Sequence, residues 1–258
     1  MSRAFAVLYL LFIIGIAPLL APYDALYARS GEETQPPTAA HALGTDALGR
    51  DVLSRLLVGG RVTVLVAGSA AALAAFFGVL LAVLAASHNR TVARIASAFI
   101  ATLLAFPGIL LAFVVAALIG SGPLQIAVGL GVSGAAPFAR VMRIAILQIQ
   151  SMGYIEAARS LGGSRVGILW RHIRPNLASA FWAQATLAFA WSLLNGAGLS
   201  FLGLAGELAQ PDWGVMLAES RGILRVQPVA ALAAGCAIVL TVLVLNRLST
   251  SAPDARRS

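Results

Sequence analysis

This sequence predicts an all-α polytopic membrane protein, and three observations carry the prediction. Hydrophobic residues fill 59% of the 258 positions and charged residues only 11%, about half the charged share of a soluble domain, and mean hydropathy is +0.88. The apolar residues gather into runs of about 20, enough for a helix rising about 1.5 Å per residue to cross roughly 30 Å of hydrocarbon. The 18 basic residues are all arginine and are spread unevenly around those runs. Composition of this kind excludes a water-soluble enzyme and a disordered tail protein.

Six runs are expected to span: about 4–22, 62–86, 95–119, 123–149, 176–204 and 228–246. The first is preceded by Arg3 and followed by Leu20-Ala21-Pro22, as in a signal peptide, but about 19 apolar residues exceed the usual cleavable core, so an uncleaved span is expected. After it comes a polar stretch from Tyr23 to Gly60, with Gln35-Pro36-Pro37 as an extended linker. From about 46 to 57, Leu48, Val52, Leu53, Leu56 and Leu57 share one half of a helical wheel, and Arg50, Asp51, Ser54 and Arg55 the other. This predicts a separate amphipathic outer helix, capped by Thr45 or Asp46 and ended by Gly59-Gly60 before the second span. Pro107, Pro123 and Pro137 mark kinks or ends in the third and fourth spans. The chain therefore divides into 1–60, a five-helix core over 61–247, and a tail over 248–258.

Six spans leave both termini on one side. With the N-terminus inside, twelve arginines face two acids in the cytoplasm, and six face eight outside. This matches the positive-inside rule, so the basic excess is a topology signal and nucleic-acid binding is not needed to explain it.

Between the span limits there is no Asp or Glu. A transporter that couples ions itself needs ionisable groups within the membrane, so its driving force is expected from elsewhere. Gln184, Ser192, Asn195 and Ser200 are the candidates for a neutral polar passage, against the alternative that such residues only pack helices together. Without lysine the chain can have neither a Schiff-base lysine nor a phosphate loop, so it is not expected to be an enzyme. Cys236 is expected to be packing, and no His or Cys cluster offers a metal site.

Between the fourth and fifth spans, residues 151–175 read as two short helices on the cytoplasmic side. Ala157 and Ala158 permit close approach, Gly162 can take the left-handed conformation that ends a helix, Ser164 can cap the next, and Pro175 suits a first turn. Leu161, Val166, Ile168, Leu169 and Trp170 among the charges leave apolar surface that wants a partner.

Glu156-Ala157-Ala158, Gly162, Ile173 and Pro175 resemble the EAA motif of the permease subunits of bacterial ABC importers. The stretch His41 to Leu56, Leu199-Ser200-Phe201-Leu202-Gly203-Leu204, and Pro211-Asp212-Trp213-Gly214-Val215-Met216-Leu217 are similar to the C-type permease of the dipeptide, oligopeptide and nickel importers. The chain departs from that pattern at Arg174, where an apolar residue is usual, at Asn195-Gly196-Ala197, which lacks an acid, and in its tail from Asn246 to Asp254.

The resemblance implies a type I ABC importer permease fold in the bacterial inner membrane, with cytoplasmic termini. It implies a heterodimer with a homologous B-type permease, two cytoplasmic ATPases that bind ATP and Mg, and an extracytoplasmic solute-binding protein. No cofactor belongs to this chain. Tyr154, Glu156, Ala157, Ala158, Arg159, Leu161 and Gly162 would transmit ATPase motion, and the solute would be a di- or oligopeptide. Nickel or a metal–metallophore complex is the alternative within the same machinery; a passive channel or secondary transporter, or a membrane scaffold, is the alternative outside it.

Overall fold

The computed structural model describes residues 3–206 and 210–250, and helices dominate them. The first helix, α1 (Arg3–Leu11), continues through a wide turn, Phe12–Ile16, into a 3-10 turn, Ala17–Leu20. Next come α2 (Val52–Ala85), α3 (Arg90–Ala105), α4 (Gly108–Ile119), α5 (Pro123–Gln150), the short α6 (Gly153–Ser160) and α7 (Arg165–Ile168), α8 (Arg174–Phe201), α9 (Trp213–Glu219) and α10 (Val229–Thr250).

At the centre α2 and α5 lie against one another, α4 and α8 flank them, and α10 closes on α8. The close approach depends on small residues. A Cβ at Gly78 would stand 2.7 Å from the Phe138 side chain, and one at Gly131 would stand 2.6 Å from Leu73. Ala70, Ala74 and Ala82 on α2 and Ala135, Ala136 and Ala139 on α5 extend the same surfaces. Lipid tails are as apolar as leucine, so such helices associate through tight packing, which small residues permit.

All six predicted runs are helical, but they differ in form. Among the described residues, four helices are long and apolar enough to cross a membrane: Val52–Ala85, Pro123–Gln150, Leu169–Phe201 and Val229–Arg247. The predicted first span is a shorter apolar helix over Ala4–Leu20. The predicted third span is broken, with α3 and α4 meeting at 94°. Proline supplies the cause: Pro107 has no N–H to donate and holds Phe106 in extended backbone, with ψ 139. Pro123 opens α5, whereas Pro137 lies inside it. Cys236, expected as packing, is exposed on α10.

The separate outer helix is corrected by the structure. Residues 46–50 form a turn whose ends pair in an isolated bridge between Thr45 and Asp51. The helix cap is Asp51, not Thr45 or Asp46: its carboxylate accepts from the Ser54 N–H at 2.8 Å and from the Ser54 hydroxyl at 2.7 Å. From there α2 runs unbroken through Gly59 and Gly60, where missing side chains admit Pro211 and Trp213. The facing differs too: both halves of the wheel supply buried residues, Val52 among the apolar ones. Asp51, Ser54 and Arg55 are buried while Leu48 is exposed, because partners from elsewhere in the chain meet the polar face.

Those partners build a polar cap at the end of the bundle where α2 begins. Arg55 donates to Glu219 Oε2 at 2.6 Å, and Arg50 donates to the same oxygen at 2.7 Å and to Asp46 at 2.7 Å. His41 Nδ1 lies 2.8 Å from Asp51. Gln227 donates to the Leu43 carbonyl at 3.2 Å and accepts from the Val229 N–H at 2.9 Å. Trp213, 3% exposed, donates its ring N–H to the Leu56 carbonyl at 3.0 Å. The segment before α2 is thereby tied to the segment around α9.

Candidate functional site

At the opposite end of the bundle, α5 leads into an elbow. The turn Ser151-Met152 opens α6, and Ile155 turns fully inward to join Ile149, Ile168 and Ile173, with Leu169 and Leu177 against them. This cluster gives the elbow a small core of its own.

The helix end follows the predicted chemistry. Gly162 has φ +82, a conformation that costs an L side chain about 1–2 kcal/mol, and the Gly163 N–H donates to the Ala158 carbonyl at 3.0 Å. That bond, reaching back five residues across a left-handed glycine, is a Schellman closure. Gly163 is required for space: a Cβ there would stand 2.7 Å from the Ala158 carbonyl oxygen, whereas nothing lies within 4 Å of one at Gly162. Ser164 then caps α7, its hydroxyl accepting from the Gly167 N–H at 3.1 Å. A wide turn, Leu169–Ile173, joins α7 to α8, with Pro175 in the first turn of α8.

The predicted elbow residues divide by exposure. Glu156, Ala157 and Gly162 face solvent, Ala158 packs on the isoleucine cluster, and Leu161 is 88% exposed. The Tyr154 hydroxyl accepts from the Asn176 amide at 3.2 Å, which fixes the start of α6 against α8. Arg159 lies in α6, with its side chain outside the described residues. The guanidinium of Arg174 stacks over Trp170 at 4.8 Å, giving the unusual arginine a local partner. Beside it, an apolar groove of about 500 Å³ runs between α2, α5 and the start of α8, lined by Val79, Met142, Ile146, Trp170 and Trp182.

The predicted passage residues do not form one site. Gln184 and Ser192 line a cleft of about 410 Å³ with Trp191, Pro137 and Asn246. The Ser192 hydroxyl is buried there without a hydrogen-bond partner, a cost that a bound polar group would relieve. Asn195 instead donates to the Trp191 carbonyl at 2.8 Å within its own helix. Ser200 sits at a separate void of about 10 Å³ with Thr63 and Asp212. Burial pushes the Asp212 carboxyl above the usual aspartate range, opposed by the Val215 N–H, the Ser200 hydroxyl and the Gly214 N–H.

Sequence reasoning missed Glu219 as the partner of Arg50 and Arg55, Gln227 as that of Leu43 and Trp213 as that of Leu56. The available signal was the scarcity of acids: Glu219 and Asp212 stand out in a chain with only ten. Among the described residues no group of three or more His, Cys, Asp or Glu could hold a metal.

Comparison with known proteins adds a separate line. Residues 75–251 match the family described as binding-protein-dependent transport system inner membrane component. The chain is 37% identical over 252 residues to the glutathione transport system permease protein GsiD of Pectobacterium atrosepticum, covering 96% of this chain and 84% of that one. It is 36% identical over 256 residues to its Escherichia coli counterpart, covering 99% and 84%. In fold it is similar to a chain of the MetNI methionine ABC transporter in an inward-facing conformation, with a TM-score of 0.58 and 20% identity over 74% of this chain and 94% of that one.

Proposed function

The chain belongs to the family of binding-protein-dependent transport system inner membrane components, and from its place as a permease subunit of an ABC importer we propose that it forms, with a homologous B-type permease, the path for small peptides. Two cytoplasmic ATPases would supply the energy and an extracytoplasmic solute-binding protein would deliver the solute, with both termini of this chain in the cytoplasm.

The observation that carries the reading is the elbow. Leu161, 88% exposed at a Schellman-closed helix end, and the half-exposed Trp170 are apolar groups held out on a fixed frame. Such groups contribute when a partner desolvates them. Tyr154, Glu156, Ala157, Ala158, Arg159, Leu161 and Gly162 would seat in the ATPase. Because Ile155, Ile168 and Ile173 share one cluster with Ile149 of α5 and Leu177 of α8, motion at α6 would be passed to both helices as a unit. This supplies the two-state element that alternating access needs, with ATP biasing one state and loaded binding protein the other.

For the solute, the curated relatives are glutathione permeases, and glutathione is itself a small peptide. The cleft at Gln184 and Ser192 offers amide and hydroxyl groups, with no charged side chain among its lining residues, which suits hydrogen bonding to peptide amides. Asn195 and Ser200 are kept as path residues only if the helices rearrange during the cycle. No observation favours the nickel or metallophore alternative.

The test is purification of the tagged chain from its own membranes, mass spectrometry of stoichiometric companions, and uptake of labelled glutathione and dipeptides in cells with and without this chain. Co-elution of a second permease and ATPases, with peptide uptake lost on deletion, is expected. A chain that elutes alone after controls for detergent loss would overturn the reading of the elbow; intact peptide uptake on deletion would overturn the solute.

A further inference from the structure

His41 is buried, 3% exposed, and both of its ring nitrogens meet carboxylates. Nδ1 lies 2.8 Å from Asp51 Oδ1, and Nε2 lies 3.4 Å from Glu32 Oε2. The two acids belong to different parts of the cap. Asp51 starts α2, where its second oxygen accepts from the Ser54 N–H and hydroxyl. Glu32 lies in the loop before His41, is partly exposed, and has Arg29 at 3.4 Å as its other side-chain partner among the described residues. The Tyr23 ring stands beside the imidazole, 4.8 Å between centroids, and carries the Arg29 guanidinium at 4.6 Å on its own face. Farther along the cap, Asp46, Arg50, Arg55 and Glu219 pair with one another.

An imidazole satisfies this arrangement in only one of its two states. The neutral ring has one N–H and one lone pair, so with its proton on Nδ1 toward Asp51 it turns a lone pair on the Glu32 carboxylate. The charged ring has two N–H groups and donates to both acids. Histidine ordinarily passes between these states between about pH 5 and pH 8.

Glu32 is the side that gives way, because Asp51 is held by three donors and by its place as a helix cap. The loop around Glu32 also rests on the rest of the cap through contacts that must all be kept. The Thr45 hydroxyl donates to the Glu32 carbonyl, and Gly49 leaves no room for a side chain against the Arg29 carbonyl. Thr34, two residues on, is held at φ +54, a left-handed conformation that a β-branched residue keeps only under the constraint of its surroundings.

We propose that His41 is a proton-operated latch of the cap: charged, it ties the Arg29–Glu32 turn to the start of α2 through Glu32 and Asp51; neutral, it keeps Asp51 and releases Glu32. The tie is strongest in mild acid, where both acids are still ionised, and is lost as pH rises through the range in which histidine gives up its proton. With both termini in the cytoplasm, as proposed above, this end of the bundle meets the outer medium and the latch reads external pH; that last step rests on the proposed orientation.

The test is amide hydrogen exchange on the complete transporter, purified with its partner subunits in detergent, at pH 5.5 and pH 8, with each rate corrected for chemical exchange at that pH. The amides of Glu32, Thr34 and Gln35, which donate to Arg29, Asp46 and Thr45, are expected to be roughly fivefold better protected at pH 5.5, the upper end for a partly exposed ion pair. In Glu32→Gln the difference should vanish, since a glutamine side chain can donate to the neutral ring and accept from the charged one. His41→Gln should show the weaker protection at both pH values. Equal protection at the two pH values in the wild type would overturn the proposal, as would a difference that survives in Glu32→Gln, which would trace it to another titrating group such as Asp212. Repeating the measurement in sealed vesicles with inner and outer pH set separately tests the orientation by itself: protection should follow the outer pH, and protection that follows the inner pH would overturn the outward placement of the cap while supporting the latch.

Discussion

The polar cap and the elbow lie at opposite ends of the bundle, both in connections between spans, and they handle their side chains in opposite ways. In the cap, Arg55 is 2% exposed and Asp51 3%, and charged groups find partners up to 169 residues away, as Arg50 does in Glu219. In the elbow, the longest side-chain hydrogen bond spans only the 22 residues from Tyr154 to Asn176, and the large apolar groups Leu161 and Trp170 are exposed. A charge buried in the cap must be paired, because an uncompensated buried charge is costly; an exposed leucine in the elbow costs this chain little and becomes useful on contact. The cap's charges are met within the chain, whereas the elbow holds Leu161 88% exposed.

Breaking the cap should give the largest effect on stability. Arg55→Ala leaves the buried Asp46 and the exposed Glu219 to share Arg50 alone, and a loss of about 2 kcal/mol is expected, between that of a buried and an exposed pair, measured by thermal unfolding of the purified transporter in detergent. A drop smaller than about 1 kcal/mol would place that network among the weak surface pairs. Next comes Gly163→Val in the elbow, which collides with the Ala158 carbonyl. It should open the Schellman closure at a cost of about 1–3 kcal/mol confined to residues 153–173, read as faster amide exchange there and slower solute uptake, with the cap unchanged.

Leu161→Ala sharpens the contrast. Within this chain it should change stability by less than about 0.5 kcal/mol, as surface substitutions do, while association with the ATPase weakens roughly tenfold in a titration. Equal binding by that variant would remove Leu161 from the docking surface.

The smallest effect concerns Asp212, buried as the cap of α9. Its carboxyl has a raised pKa in the fold, so the charged form is penalised, and the penalty is full at high pH and relieved as pH falls through the raised value. Asp212→Asn keeps the cap, since asparagine caps as well as aspartate. The variant should match or slightly exceed the wild type in melting temperature at pH 8, with that margin shrinking as pH is lowered toward 5. A margin that grows with acid would reverse the sign and show the charge to be stabilised in place.

The helices were largely legible because lipid leaves the chain few choices: backbone groups must bond within a helix, and apolar runs announce it. The elbow was legible because its determinants are local. Gly162, Ser164 and Pro175 act on residues within a turn of themselves, so spacing alone foretold two short helices and their junction. The outer helix misled for the opposite reason. The wheel of 46–57 is amphipathic, but whether its polar half meets water or Glu219 depends on residues more than 160 positions away. Gly59-Gly60 read as a stop and serves instead as a close-contact surface for Pro211 and Trp213 inside a continuous helix.

By itself, then, the sequence determined the membrane class, the helical runs, the elbow and its chemistry, since each follows from composition or from neighbours a few residues apart. Pro107 announced a break in the third span, but tertiary structure alone decided the burial of Arg55 and Asp46 and the division of Gln184 and Ser192 from Asn195 and Ser200. Those features depend on which helix face meets which neighbour, and packing between distant segments sets that, while local propensity leaves it open.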